Sequence, residues 1–312
     1  MSNKYDAVLM IAYGGPEKTE DIRPFLSKVS SGRPIPPERL EEVAHHYELI
    51  GGKSPLNEIT YRQARGLEAR LKINGYSLPV YVGMRNWHPF LSDTVVEMSK
   101  EGVKKALGII MAAHQSDASW ERYQRDVEEA ISKTGVELSV DYTEPFYDHP
   151  LFIADSADRV SECFEQIPSS DRDATVLIFT AHSIPTPMAD ASPYVEQITI
   201  SCQLISERLG HKNWVLAYQS RSGRPTDRWL EPDVCDVIRE LSKKSTSTVI
   251  IQPIGFMCDH VEVLYDIGIE AAEVAEEVGV MMLRAKTVND DPKFIEALAD
   301  IVESHINKIQ DA

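Results

Sequence analysis

The chain of 312 residues is 43% apolar and 26% charged, which supplies a full core for one large α/β unit or two similar lobes and excludes a mainly disordered protein. A formal charge of -17 argues against a nucleic-acid backbone or an anionic membrane surface as partner, and suits a protein that handles cations. Four dispersed cysteines, Cys163, Cys202, Cys235 and Cys258, show no CxxC spacing, so a disulfide framework, a zinc site or an iron-sulfur cluster is not expected.

In chain order, the first apolar run, within Asp6–Tyr13, is too short for a signal core or a membrane span and is closed by Gly14-Gly15-Pro16. It predicts a buried strand, no integral membrane segment and a cytoplasmic location. A proline-rich loop at Ser30–Pro37 precedes a helical period over Asn57–Ile73. Strands are predicted at Pro79–Gly83, Ala106–Ala113 and Val140–Tyr142, separated by helices at Leu91–Glu101 and Trp120–Thr134. The pattern then repeats. A helix at Ala154–Glu165 leads to strands at Ala174–Thr180, Trp214–Tyr218, Thr248–Ile254 and Val280–Leu283, with helices at Tyr194–Leu209 and Asp233–Lys244. A long polar connection, Gln219–Pro232, follows one strand directly and reads as a mouth-lining loop. Asp291-Pro292 opens a last helix with Phe294, Ile295, Leu298, Ile301, Val302 and Ile309 on one stripe. The expected organisation is an N-terminal α/β lobe over 1–145, a second over 146–290, and a terminal helix over 291–312 bracing the lobes.

Ligands of doubly wound sheets bind outside the carboxyl ends of the strands, so the residues there are the candidates. His182 follows the run VLIFT, and an imidazole is a natural proton acceptor near neutral pH, although a helix-capping or core histidine fits the same position. After TVIIQPI, the segment GFMCDHVEVLYDIGIE places Glu262, Asp266 and Glu270 at i, i+4 and i+8, with Asp259 and His260 at its entrance. On a helix these carboxylates line one face. They suit stepwise transfer of a hydrated divalent cation, or form an ordinary solvated acidic face. Gly268 marks a place where a regular helix is disfavoured. Tyr13 ends the first strand, and Arg85 and Trp87 follow the second, offering a charge for an anionic ligand and a ring for a flat one. GxGxxG and GxxxxGK[ST] are both missing after the first strand, which disfavours a nucleotide cofactor.

AYGGP at 12–16, GGKSPL at 51–56, RNWHPF at 85–90, FTAHSIP at 179–185, YQSRSGRPTDRWLEP at 218–232 and GFMCDHVEVLYD at 255–266 together resemble the ferrochelatase family, in its order and spacing. The similarity spans essentially the whole chain and is most like the coproporphyrin III ferrochelatases of Gram-positive bacteria. It implies a chelatase-like α/β fold of two Rossmann-like lobes, each a parallel four-stranded sheet flanked by helices, with a porphyrin cleft between them. It also implies insertion of Fe2+, as substrate, into a porphyrin in haem biosynthesis. His182 and Glu262 match the family's facing catalytic pair, Asp266 and Glu270 its acidic line for the metal, and Tyr13 the tyrosine near the metal. Arg85 and Trp87 match a segment beside the macrocycle, and Tyr47 and Ser54 match propionate-binding positions. His46 stands where relatives often carry a basic residue before that tyrosine, and Ser30-Ser31 stand where some carry arginines.

Family members that hold an iron-sulfur cluster do so through cysteines near the C-terminus, and none lies beyond Cys258 here. Partner enzymes of haem synthesis are an expectation from the resemblance; a nucleic-acid partner is not expected. The readings that compete with a coproporphyrin enzyme are protoporphyrin IX as substrate, a cobalt chelatase of the same fold, and a non-catalytic porphyrin or haem carrier. A carrier needs an axial ligand but no proton acceptor opposite a carboxylate line, so the pairing of His182 with Glu262 favours the enzyme.

Overall fold

A strand that is apolar at every position belongs in the middle of a parallel sheet covered on both faces, and β1 (Ala7–Ala12, AVLMIA) is buried along its whole length. The computed structural model describes the chain except residues 1–3, 33–35, 223, 225 and 311–312. The centre of the expected proline-rich loop and two positions of the long polar connection therefore lie outside the described residues, as does the side chain of Ile309.

Two compact units result, one formed by 1–111, 118–145 and 290–312, the other by 112–117 and 146–289. In the first, β1 is followed by α1 (Thr19–Val29), α2 (Pro37–Leu49) and α3 (Leu56–Ile73), then β2 (Val80–Met84), α4 (Leu91–Lys100), β3 (Lys105–Ile110), α5 (Arg122–Thr134) and β4 (Ser139–Tyr142). Its sheet runs β2-β1-β3-β4, all pairings parallel. The second unit holds α6 (Pro150–Phe164), β5 (Val176–His182), α7 (Thr186–Asp190), α8 (Tyr194–Leu209), β6 (Trp214–Gln219), α9 (Val234–Lys243), β7 (Thr248–Gln252), α10 (Val261–Leu264), α11 (Ala272–Glu277) and β8 (Met281–Arg284). Its order, β6-β5-β7-β8, repeats the first, again with every pairing parallel. Strand order reverses at the β1/β3 and β5/β7 junctions, and in doubly wound sheets ligands bind outside the carboxyl ends of the strands at such points.

The final helix, α12 (Pro292–Gln310), belongs to the first unit. It packs on α3, with Phe294, Leu298 and Val302 fully buried and Ile295 filling the space that a side chain at Gly66 would need. Arg62 of α3 clamps Asp290 through two hydrogen bonds of 2.7 and 3.1 Å, and Arg70 pairs with Glu296. The last helix is an integral layer of the first unit.

Two close approaches shape the carboxyl edges. Gly14, at φ +84°, lets the end of β1 come against the loop after β2, where an added Cβ would lie 2.9 Å from the Trp87 amide nitrogen. Gly255 lies across the end of β5, its amide donating to Thr180 O at 3.1 Å, and an added Cβ would lie 2.7 Å from the Ala181 Cβ. This contact turns the chain after β7 toward the last residue of β5.

Candidate active site

That last residue is His182. The imidazole Nδ1 faces the Ser183 carbonyl, which can only accept, so Nδ1 carries the proton and Nε2 holds the free lone pair in the neutral ring. Nε2 points at Glu262 Oε1, 3.7 Å away. The Tyr194 hydroxyl of α8 donates to the His182 carbonyl at 3.0 Å and steadies the strand end from behind. Burial pushes the Tyr194 phenol well above its ordinary range, so it remains a donor.

Glu262 enters from the segment after β7. Its side chain keeps 32% of its surface exposed. Burial pushes its pKa up, but the facing His182 imidazole, when protonated, and the hydrogen bond and charge of His260 outweigh this and bring the group down to about 2. His260 Nε2 lies 3.5 Å from Glu262 Oε2. The approach is anchored one residue earlier. Asp259 Oδ1 accepts from the Thr287 hydroxyl at 3.0 Å and from Arg284 at 3.3 Å, while the Asp259 amide donates to Asn289 Oδ1 at 2.9 Å. A different histidine, His114, is fully enclosed with Nε2 3.0 Å from Ser201 Oγ, and burial lowers its pKa to about 3. It stays neutral in this unit's core.

The acidic segment departs from one regular helix. After the single turn of α10 the chain winds as a π-helical turn over Asp266–Ala271 before α11 begins, and the Glu270 amide donates to Tyr265 O, five residues back, at 2.9 Å. Gly268 sits inside this turn, where the sequence disfavours regular winding. An α step of four residues overshoots one revolution and a π step of four falls short, so mixed winding keeps Glu262, Asp266 and Glu270 roughly in line. Exposure rises along it, since Glu262 and Asp266 are half-buried and Glu270 is exposed. Ser220, at the end of β6, donates to Asp266 Oδ2. Among the described residues no group of three or more His, Cys, Asp or Glu side chains is gathered tightly enough to hold a metal ion. The carboxylates are strung out.

In the first unit, Tyr13 is 38% exposed at the end of β1. Phe25 of α1 stands edge-on to Tyr13, Tyr47 and Trp87, with ring centroids 6.4, 6.0 and 6.0 Å away. Tyr47 is buried in this aromatic cluster, and Ser54 is buried against Gly15 with its Oγ accepting from the Leu56 amide at 3.3 Å. Arg85 is engaged inside the unit, 2.5 Å from Asp126 and stacked 4.5 Å from the centre of the Tyr123 ring. Its charge is met by protein groups. The strand-end residues His182 and Tyr13 were visible in the sequence as candidates; Tyr194, which donates to the His182 carbonyl, and Gln219, which bonds the backbone at Ser183 and Glu262, give no local signal because their partners are distant in the chain.

The chain matches the family described as Ferrochelatase over residues 5–306. It is 39% identical over 309 residues to the ferrochelatase of Rhodopirellula baltica, covering 98% of this chain and 88% of that one. It is also 39% identical over 307 residues to the coproporphyrin III ferrochelatase of Mycolicibacterium smegmatis, covering 97% and 90%. Among solved structures, SirB from Bacillus subtilis with Fe3+ shares the fold at a TM-score of 0.61, with 12% identity and coverage of 98% and 97%. Two parallel four-stranded sheets in the same order, a chelatase fold and family similarity across nearly the whole length agree: the chain belongs to the ferrochelatase family.

Proposed function

We propose that the protein inserts Fe2+ into a porphyrin in haem biosynthesis, with coproporphyrin III as the preferred substrate and His182 and Glu262 as the catalytic pair. The observation that carries this reading is the imidazole at the end of β5, with its acceptor nitrogen 3.7 Å from a carboxylate. Metal insertion must remove two protons from the central pyrroles and strip the water shell of the ion. A neutral His182, with Nδ1 held by the Ser183 carbonyl, presents Nε2 as the proton acceptor. Glu262, whose ordinary state is ionised, receives the metal or the second proton. Asp266 and Glu270 exchange waters for carboxylate oxygens in stages, because hard oxygen ligands bind such ions without removing every water.

Tyr13 and Trp87 belong to an aromatic cluster suited to contact with a flat macrocycle. Tyr47 and Ser54 are the proposed propionate contacts, and Arg85 acts by shaping the loop that carries Trp87. The preference for coproporphyrin is supported by relatives of that name in Mycolicibacterium, Nocardia, Streptomyces and Corynebacterium at 37–39% identity. We read the reaction as needing neither an iron-sulfur cluster nor a nucleotide. The protein is read as working in the cytoplasm beside the enzymes that supply its porphyrin and receive its product; among the described residues, no helix is long and apolar enough to cross a membrane.

An anaerobic insertion assay with Fe2+ tests this directly. Turnover of coproporphyrin III in preference to protoporphyrin IX is the expected result. Preference for protoporphyrin IX would keep the chemistry and overturn the substrate, and tight binding of either without turnover would point to a carrier.

A further inference from the structure

We propose that Gln219 is a positioning residue that sets the separation of His182 and Glu262 by holding the backbone of both. This rests on the reading of that pair as catalytic. Gln219 is the last residue of β6 and stands opposite His182 in the parallel register. Its carbonyl accepts from the Ser183 amide at 2.8 Å, which fastens β6 to the residue that follows His182. Its side-chain amide reaches the other way and donates to the main-chain carbonyl of Glu262. One residue thus ties the strand that carries the imidazole to the segment that carries the carboxylate.

The orientation of the amide is decided by chemistry. The Glu262 main-chain oxygen can only accept, so the nitrogen of the Gln219 amide must face it. The oxygen is then turned inward, where Oε1 is buried and meets no hydrogen-bond donor among the described residues. Gln219 is 1% exposed, and deeper on the same face of the sheet Ile178 and Ala217 are apolar core residues. An apolar side chain would fill this position without leaving an enclosed acceptor unpaired. The glutamine is therefore explained by what its nitrogen holds, since a buried unmet acceptor is a recurring cost that packing does not require.

Proton removal and metal delivery act on the nitrogens at the centre of one ring, so the two groups must keep a fixed spacing. Displacements on the order of 1 Å in such arrangements cost about a hundredfold in rate. Gln219→Met keeps the volume and removes the donor. We expect kcat to fall by at least about tenfold, Michaelis constants for iron and porphyrin to stay near those of the wild type, and the thermal midpoint to hold. In a crystal structure of the variant, the 3.7 Å separation of His182 Nε2 and Glu262 Oε1 should change.

Gln219→Asn, whose amide is one methylene too short to reach, should show the same kinetic loss and serves if the methionine variant does not fold. A kcat close to wild type, an unmoved pair, or a loss of activity matched by an equal loss of thermal stability in both variants would overturn the proposal. The structural readout needs no turnover. A wild-type protein inert toward every porphyrin would defeat the catalytic reading, whereas an active wild type with indifferent Gln219 variants defeats only the positioning role.

Discussion

A single imidazole carries most of the proposed chemistry, and its tautomer follows from one hydrogen bond to a neighbouring carbonyl. His182→Ala should abolish insertion while porphyrin binding, followed by fluorescence quenching, persists; near-normal turnover would remove His182 from the mechanism. Asp266 has a different expected signature. It is half-buried on the acidic line and receives a hydrogen bond from Ser220, so Asp266→Asn should chiefly raise the apparent Michaelis constant for Fe2+. An effect confined to the porphyrin constant would count against the metal path. Both residues were legible as candidates because they follow strands. The paired commitments of Arg85 to Asp126 and Tyr123 were not, since they depend on α5 coming to lie beside the loop after β2.

Helices and strands are held by apolar faces more than by the ion pairs that decorate them, and α12 on α3 allows the comparison. Leu298 is fully buried in that contact, and Leu298→Ala should cost about 2–5 kcal/mol in denaturant unfolding. Arg62 and Asp290 both keep roughly a third of their side-chain surface exposed, so Asp290→Ala should cost no more than about 1 kcal/mol. At the other edge, Gly255→Ala would force a Cβ to within 2.7 Å of the Ala181 Cβ, a clash that the chain must relieve by moving. That overpacking should cost about 1–3 kcal/mol and lower turnover by displacing the segment leading to Glu262. All eight strands were visible as short, largely apolar runs; β1, β5 and β7 show it best, because a strand buried on both faces needs apolar residues at consecutive positions, while the edge strands β4 and β8 are only partly covered. The helices α1 and α2 were less visible. Pro24 lies within α1, and α2, which buries Ala44 and Tyr47 and packs on α1, has a weak apolar stripe.

Acid should destabilise the folded chain through carboxylates engaged in the native state. Hydrogen bonds from Lys105 and Tyr5 hold Asp141 below its ordinary pKa, and a hydrogen bond from Arg62 does the same for Asp290. A depressed native pKa contributes stability above the unfolded carboxylate value of about 3.9 and loses it as pH falls through the native value. Chemical denaturation should therefore show stability falling below about pH 4, and Asp141→Asn should flatten that fall; an unchanged slope would show that other groups carry it. Composition, alternation and strand-end motifs established the α/β class, the two groups of four strands, the family resemblance and the positions of His182 and Glu262, because these are local patterns written in consecutive residues. The mixed α and π winding of the acidic segment, the placement of α12 on α3, the tautomer of His182 and the bridge through Gln219 came from the tertiary structure alone. The bridge and the helix contact join residues far apart in the chain, while the tautomer and the winding depend on a local backbone conformation that the surrounding packing fixes.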